Sequence, residues 1–197
     1  MERHALIAAK LLLLTLVLFG VVYPGLITGL AQLLYPIQAN GSLISISGQT
    51  AGSALIGQSF AKPEYFQPRP SAAGSGYDAS SSGGSNLGPT SQALYNRVTT
   101  EVIRLVNQNP SLESGSIPVD MVTSSASGLD PDITPANANA QIDRVAKARG
   151  ISTEIIRKLV ADNITGRQFG FLGESRVNVL SLNLALDRLS GEATVGK

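Results

Sequence analysis

The most apolar part of the chain runs from Leu11 to Leu34 and contains no charged residue. As an α-helix, these 24 residues extend about 36 Å, which exceeds the roughly 30 Å thickness of a hydrocarbon core. A helix also satisfies its own backbone hydrogen bonds, which lipid cannot do. The pattern therefore predicts one transmembrane helix at 11–34, and Pro24 predicts a kink in it because proline removes a helical hydrogen bond.

Small residues recur along this predicted helix and would let a second helix approach closely. They are Gly20, Gly25, Gly29 and Ala31. A helix that only anchors a domain in lipid does not need them, so we expect this one to pack inside a membrane complex, with a plain anchor as the alternative. Gly20, Pro24, Gly25 and Gly29 are therefore predicted docking residues.

The charges beside the helix predict its orientation. Arg3 and Lys10 precede the apolar run, whereas residues 11–61 carry no charge. The positive-inside rule then places residues 1–10 in the cytoplasm and a domain at 35–190 outside the membrane. A cleaved secretory signal is the alternative, but the apolar run is longer than a usual signal core and no clean cleavage site follows it.

Beyond the helix, the pattern predicts a single α+β domain whose second half is rich in helix. Apolar residues at helical spacing predict helices at 91–107, 135–149, 152–162 and 177–189. Short strands are predicted at 42–46, 54–56 and 117–122, with a turn at 48–52 between the first two. Residues 191–197 are expected to form a flexible tail.

A segment rich in glycine, serine and proline, Lys62 to Pro89, has the composition of a linker. Tyr65, Phe66, Arg69 and Tyr77 interrupt it. Linkers rarely carry aromatic residues, and long loops inside domains tend to be functional, so we expect an ordered docking loop. A cation–π clamp between Arg69 and the aromatic rings would order this loop.

Composition excludes several kinds of chemistry. The chain has no cysteine, and its one histidine, His4, lies before the apolar run. The predicted outer domain therefore lacks a thiol nucleophile, a Ser-His-Asp triad and a His-ligated metal site. The net charge is +1, and basic and acidic side chains are equal in number beyond residue 34. This balance gives no basic surface for a nucleic-acid partner.

Two short patterns match enzyme motifs incompletely. Ser59 and Lys62 fit the S-x-x-K of serine acyl-enzymes, but the later K-T-G of those enzymes is absent. The sequence GEATVGK at 191–197 fits a phosphate loop without the Ser or Thr that would hold magnesium, so we do not expect it to bind phosphate.

A third pattern is a possible anion site. Ser82, Gly83, Gly84, Ser85 and Asn86 offer successive backbone N–H groups and hydroxyls that could hold phosphate. Runs of this composition more often form plain turns.

The acidic residues Asp120, Asp130 and Asp132 lie close together in sequence, near Thr123 and Thr134. Hard oxygen ligands at this density could bind a cation. The structural alternative, which we favour, is that Asp130 forms a turn before a proline and Asp120 caps or pairs locally. We therefore predict no metal site.

Six blocks carry a resemblance to a known family. The chain resembles the C subunits of Kdp-type potassium-transporting P-type ATPases over residues 5–189, through GSALIGQSF, YFQPRPSA, SGGSNLGPTS, IPVDMVT, SGLDPDITPA and GESRVNVLSLNLALD, in this order. Two positions depart from the family pattern: Asp132 stands where the family usually has histidine, and Ser175 where it usually has proline. A role for that histidine cannot be carried over to this chain.

The resemblance implies a non-catalytic accessory subunit in a bacterial inner membrane. Its implied partners are a channel-like potassium-binding subunit and a P-type ATPase subunit, with a small single-helix subunit as a further candidate. Asp130 and Asn178 lie in the matching blocks and, with Tyr65, Phe66 and Arg69, complete the predicted docking residues. Lipid surrounds the helix, no cofactor is expected to bind firmly, and potassium is handled by the complex.

The resemblance also implies a catalytic chaperone that raises the ATP affinity of the ATPase subunit. The stretch Ser82–Asn86 resembles a serine-glycine signature invoked for nucleotide contact. A domain outside the membrane cannot reach cytoplasmic ATP, and the charge pattern favours the outer face, near the potassium entrance. Two other functions remain as alternatives: a serine acyl-enzyme using Ser59 and Lys62, and a polymer-binding module that stacks on Tyr65, Phe66 and Tyr77.

Overall fold

The computed structural model describes residues 2–46, 48–189 and 191. It divides into two compact units, Met1–Leu43 and Ile44–Lys197, and we describe each by itself. The predicted tail and the GEATVGK pattern lie outside the described residues apart from Gly191, so both stay predictions.

The first unit is helical. Helix α1 spans Glu2–Val17, a π-helical turn spans Leu18–Val22, α2 spans Tyr23–Leu34, and a short α3 spans Pro36–Ala39. Among the described residues, Glu2–Leu34 is the one helix long and apolar enough to cross a membrane. This confirms the single apolar helix and adds that the charged flank before residue 11 is helical too.

The π-helical turn lies where Pro24 predicts an irregularity. The Tyr23 N–H donates to the Leu18 carbonyl, five residues back instead of four. In a regular α-helix the ring of Pro24 clashes with the carbonyl of Gly20, and a wider turn relieves that contact. The predicted disruption at proline is therefore present as a π-bulge.

The second unit contains two small sheets. Strands β1 (Leu43–Ile46) and β2 (Gln49–Ser53) pair with each other. A three-stranded antiparallel sheet has the order β3-β5-β4, with β3 at Asp132–Ile133, β4 at Ile164–Thr165 and β5 at Arg176–Asn178.

All four predicted helices of this unit are confirmed: α4 (Gln92–Gln108), α5 (Pro135–Arg149), α6 (Thr153–Asp162) and α7 (Val179–Leu189). The two ends of α5 follow ordinary capping rules. The Thr134 side chain accepts a hydrogen bond from the Asn137 N–H at the start of α5, and Gly150 ends that helix in the left-handed region at φ 65°. The second half of the unit is helix-rich, as expected.

The main core lies among α5, α6, α7 and the three-stranded sheet. Its largest side chains are less than 2 % exposed and include Ile142, Ile156, Leu182 and Leu186. Phe66 joins them from an irregular segment and is 0 % exposed. A smaller cluster of Leu105, Met121 and Val122 lies under α4.

The predicted strand at 42–46 is confirmed as β1, but the one at 54–56 is wrong. Leu55 donates its N–H to the Ser53 hydroxyl, which folds these residues into a turn. Strand β2 instead occupies Gln49–Ser53, where the glycines predicted a turn.

The predicted strand at 117–122 is also wrong. Residues Val119–Met121 form a 3-10 turn. This turn places the Asp120 carboxylate where it accepts a hydrogen bond from the Thr134 N–H. Apolar alternation along the sequence does not reveal this contact. The last helix, predicted from residue 177, begins two residues later, at Val179. Val177 instead belongs to β5 and pairs with both neighbouring strands.

Candidate functional site

A polar cleft of about 290 Å³ lies beside the three-stranded sheet. It is lined by Arg69, Asp120, Asp130, Asp132, Ile133, Thr134, Glu174, Ser175 and Arg176. The docked loop, as we call residues 62–89, contributes Arg69, while β3, β5 and the segments before them contribute most of the rest. The fold thus gathers the predicted acidic cluster, one predicted docking arginine and Ser175 around one opening.

Two ion pairs cross the cleft. Arg69 Nη1 lies 2.9 Å from Asp130 Oδ2, and Arg176 Nε lies 3.0 Å from Asp132 Oδ2. Asp130 also accepts the Asp132 N–H at 3.1 Å, which fixes the turn before β3. All four charged side chains are partly exposed, so these pairs hold the cleft walls in place and still face solvent.

Asp132 is placed by strand pairing. It lies opposite Asn178 in the β3–β5 register, and the Asn178 amide donates to its Oδ1 at 3.2 Å. Burial raises the pKa of the Asp132 carboxyl, while the hydrogen bond from Asn178 and the charge of Arg176 oppose that shift. Asp132, where the resemblance leads us to expect a histidine, is therefore an ion-paired carboxylate in this chain.

Asp120 performs the local pairing that we favoured over a cation site. Its carboxylate accepts from the Thr134 N–H at 2.8 Å, the Thr134 hydroxyl at 3.1 Å and the Asn137 amide at 3.0 Å. The negative charge thus lies at the N-terminus of α5, where the helix dipole stabilises it. Thr123 donates its hydroxyl to the Val119 carbonyl within the preceding 3-10 turn.

The docked loop is ordered, as predicted, but its aromatic residues face inwards. Tyr65 is 6 % and Phe66 0 % exposed. Two amide side chains bracket the backbone: Asn183 accepts from the Phe66 N–H and donates to its carbonyl, and Gln141 does the same at Gln67. Tyr65 and Phe66 are therefore core residues and not docking residues, and the polymer-stacking alternative loses two of its three rings, while Tyr77 is half-buried.

The cation over an aromatic ring is Arg149 and not Arg69. Its guanidinium carbon lies 4.8 Å from the centre of the Tyr65 ring, and Nη2 pairs with Asp187 at 2.6 Å. The Tyr65 hydroxyl donates to the same carboxylate at 3.2 Å. The predicted clamp thus exists with a different arginine, while Arg69 serves the cleft and Tyr77 donates its hydroxyl to the Arg69 carbonyl.

The remaining predicted sites have these places. The Gly83 N–H and the Ser82 hydroxyl both donate to the Ser127 carbonyl, so neither of these donors points at a free anion. A Cβ at Gly84 would lie 2.9 Å from the Ala126 carbonyl, and Asn86 has a positive φ of 49°. The nucleotide role of Ser82, Gly83, Gly84, Ser85 and Asn86 stays a prediction.

The serine acyl-enzyme alternative is not supported. Ser59 lies in an irregular segment, whereas the S-x-x-K chemistry needs its serine at the start of a helix. Lys62 lies 3.8 Å from Glu64 in an exposed pair. This arrangement gives no support to Ser59 as a nucleophile with Lys62 as its base.

The predicted docking residues of the apolar helix are accessible within their own unit. Apart from its chain neighbours and the nearby backbone of its own helix, a Cβ built at Gly20, Gly25 or Gly29 would meet no described atom within 4 Å. In the second unit, Asn178 has internal partners instead. Its amide donates to the Ala54 carbonyl at 2.9 Å, and its Oδ1 accepts the Ser181 N–H at 3.0 Å, which caps α7.

Two exposed aromatic residues were missed by the sequence patterns. Phe169 and Phe171 lie on what we call the aromatic loop, residues 166–175 between β4 and β5, and are 87 % and 70 % exposed. Glycines at positions 166, 170 and 173 give this segment the composition of a turn. The signal that could have pointed to a surface role is the presence of two phenylalanines inside a glycine-rich turn.

Comparison with known proteins gives a consistent result. The family model described as K+-transporting ATPase, c chain (KdpC), matches residues 5–188. Similar proteins named potassium-transporting ATPase KdpC subunit occur in Koribacter versatilis, with 55 % identity over 95 % of both chains, and in Myxococcus xanthus, with 53 % identity over 94 % of this chain and 88 % of that one. One from Mycobacterium tuberculosis is 50 % identical over 96 % of this chain and all of that one.

Proposed function

The chain belongs to the KdpC family of K+-transporting ATPase c chains, and on this premise we propose that its second unit works outside the membrane, beside the potassium entrance of the pump. The chain is an accessory subunit of a potassium pump and not its catalytic subunit. We further propose that it assembles with a channel-like potassium-binding subunit and a P-type ATPase subunit, in a bacterial inner membrane.

The charge pattern around the apolar helix supports this orientation. Arg3 and Lys10 precede the helix core, and no charged residue follows before Lys62. Positive residues near a membrane span are retained on the cytoplasmic side. This charge asymmetry is the single observation that carries the proposed side of action. It implies that the N-terminus lies inside and the second unit outside.

The polar cleft supports a role near the path of a cation. Four carboxylates line it, from Asp120, Asp130, Asp132 and Glu174, against the guanidinium groups of Arg69 and Arg176 in the lining and that of Arg167, which pairs with Glu174. One carboxylate remains in excess. A cleft with an excess of one sign raises the local concentration of the opposite charge. We propose that this surface favours potassium near the transport subunit, while selectivity and ATP hydrolysis reside in the partners.

The nucleotide role implied by the family resemblance depends on the opposite orientation. Cytoplasmic ATP can reach Ser82–Asn86 only if the second unit lies inside the cell. We propose that the subunit acts without bound ATP, through contacts with the other subunits. An inside location would make Ser82–Asn86 the first nucleotide site to mutate.

Topology labelling tests this proposal directly. The chain has no cysteine, so a single introduced cysteine is the one thiol that can react. Ala79→Cys puts a thiol at an exposed position of the docked loop, and His4→Cys puts one in the N-terminal flank. In intact cells, an impermeant thiol reagent should label the first variant and spare the second until the cells are opened.

The reverse pattern would contradict the proposed side of action. Labelling at position 4 and protection at position 79 would place the second unit in the cytoplasm and restore ATP as a direct ligand. Labelling of both variants only after lysis would also reject the outer location, because the unit would then be inaccessible from outside.

A further inference from the structure

The aromatic loop exposes apolar side chains that contribute neither to the core nor to the polar cleft. Phe169 is 87 %, Phe171 70 % and Leu172 47 % exposed. Elsewhere in the unit, Phe66 is fully buried. Soluble surfaces carry scattered apolar residues, but two strongly exposed aromatic side chains two positions apart on one short loop indicate an interaction site.

The loop holds these side chains outwards with a defined backbone. Gln168 and Leu172 exchange two backbone hydrogen bonds of 2.9 Å, and the Arg167 guanidinium pairs with Glu174 at 2.6 Å across the base of the loop. Phe169 has a positive φ of 52°, a conformation that phenylalanine rarely adopts. A strained residue of this kind, at an exposed tip, is typical of functional loops.

The charges of the loop favour a protein partner over a lipid surface. Residues 166–175 contain one arginine and one glutamate, which pair with each other, and no lysine. Loops that insert into anionic membranes combine apolar tips with unpaired basic residues. Aromatic side chains that fill a pocket on a partner protein are typical anchors of protein interfaces. A loop that is already ordered binds more tightly, because it loses little conformational entropy on binding.

The position of the loop connects it to the polar cleft. Glu174, Ser175 and Arg176 follow the aromatic tip directly and also line the cleft. A protein that binds Phe169 and Phe171 would therefore lie next to the cleft opening. This continuity points to the same partner that the cleft is proposed to serve.

We propose that Phe169 and Phe171 insert into an apolar pocket on the channel-like potassium-binding subunit of the same pump. The inference rests on the proposed function, since that function supplies the partner. The pocket and the cleft would then form one continuous interface, with aromatic anchors at one end and ion-paired carboxylates at the other.

Photo-crosslinking in the assembled pump tests this docking. A photoreactive phenylalanine analogue is introduced at position 169 or 171 of the full chain, in cells that make all subunits. Tyr95 on α4, 67 % exposed, is the matched control position. From the loop positions we expect an adduct with the potassium-binding subunit that is at least tenfold stronger than the adduct from position 95.

A second variant separates docking from folding. Phe169→Asn suits the positive φ, because asparagine tolerates this conformation better than phenylalanine. We expect its melting temperature to equal or exceed that of the wild type, while adduct formation from position 171 falls at least threefold. A residue with only a structural role would not show this combination.

Other outcomes overturn the inference. Adducts with lipid alone, with a second copy of this chain alone or with the ATPase subunit alone would each reject a pocket on the potassium-binding subunit. The absence of any adduct at either position, in a pump that still copurifies, would reject it as well. If the wild-type chain copurifies with no larger subunit, the proposed function fails as well, so the two failures are distinguishable.

Discussion

The docked loop and the aromatic loop are similar in sequence and opposite in structure. Both are rich in glycine, and both carry aromatic residues between regular elements. In the docked loop Phe66 is 0 % exposed, whereas Phe171 in the aromatic loop is 70 % exposed. The difference shows that aromatic residues in an irregular segment indicate order without telling whether the rings face the core or the solvent.

Polar partners of the backbone explain the difference. Gln141 on α5 and Asn183 on α7 each accept from a loop N–H and donate to a loop carbonyl, so the docked loop can enter the core with its polar groups satisfied. The aromatic loop makes its hydrogen bonds mainly with itself, from Gln168 to Leu172. A segment without such partners stays on the surface.

The largest expected contrast is between the two phenylalanines. Phe66→Ala removes a fully buried ring and should lower the free energy of unfolding by about 3–5 kcal/mol. Phe171→Ala changes an exposed ring and should change it by no more than ~0.5 kcal/mol. Denaturant unfolding of the full chain in detergent, followed by circular dichroism, measures both. Equal effects would contradict the assignment of one ring to the core and the other to the surface.

Two glycines give a smaller contrast of the same kind. Gly128 and Gly173 have positive φ values of 67° and 75°. A Cβ at Gly128 would lie 2.6 Å from the Ala73 nitrogen of the docked loop, whereas one at Gly173 meets no described atom within 4 Å.

Gly173→Ala should therefore cost about 1 kcal/mol for the backbone conformation alone. Gly128→Ala should cost about 1–3 kcal/mol more, because alanine also overlaps the docked loop. The same unfolding experiment measures the difference, and a Gly128→Ala variant as stable as Gly173→Ala would mean that the docked loop is not packed there.

The smallest expected effect depends on pH. Burial, with a further contribution from the Glu101 carboxylate, raises the pKa of Tyr77 to about 12. Because this value lies above that of the unfolded chain, about 10, the stabilisation is fully present below pH 10 and is lost as the pH rises through 12.

Tyr77→Phe removes this titration and should make the fall in stability above about pH 10 less steep than in the wild type. Tyr95→Phe, at an exposed tyrosine outside the docked loop, is the matched control and should retain the wild-type slope. Parallel curves for wild type and Tyr77→Phe would indicate that the Tyr77 hydroxyl is not buried in solution.

Local patterns predicted the elements whose causes are local. Apolar spacing, together with Pro135 at one end and Gly150 at the other, was sufficient for α5, and an uninterrupted apolar run was sufficient for the membrane-spanning candidate. Strands β3, β4 and β5 have two or three residues each, too few to show a period. Their positions depend on pairing with distant residues, which a local pattern does not contain.

Only part of the candidate site could be predicted, because a local pattern does not show which distant residues will pair. Closeness in sequence indicated that Asp120, Asp130 and Asp132 would lie together. Their partners Arg69 and Arg176 come from distant parts of the chain and could not be paired with them by spacing. The aromatic residues of the docked loop were assigned to a clamp with Arg69 and to docking, and their place in the core was missed because the bracketing amides of α5 and α7 leave no local signal.

The amide bracket also sets the order in which the chain can complete its fold. Phe66 is held by Asn183, which is 117 residues later in the sequence, and α7 is the last helix described. A chain that emerges N-terminus first must therefore keep the docked loop open until α7 has been synthesised. The aromatic loop closes through near neighbours and can form within a short segment. Loss of the C-terminal helix would thus leave the first half of the unit unfinished, although none of its own residues had changed.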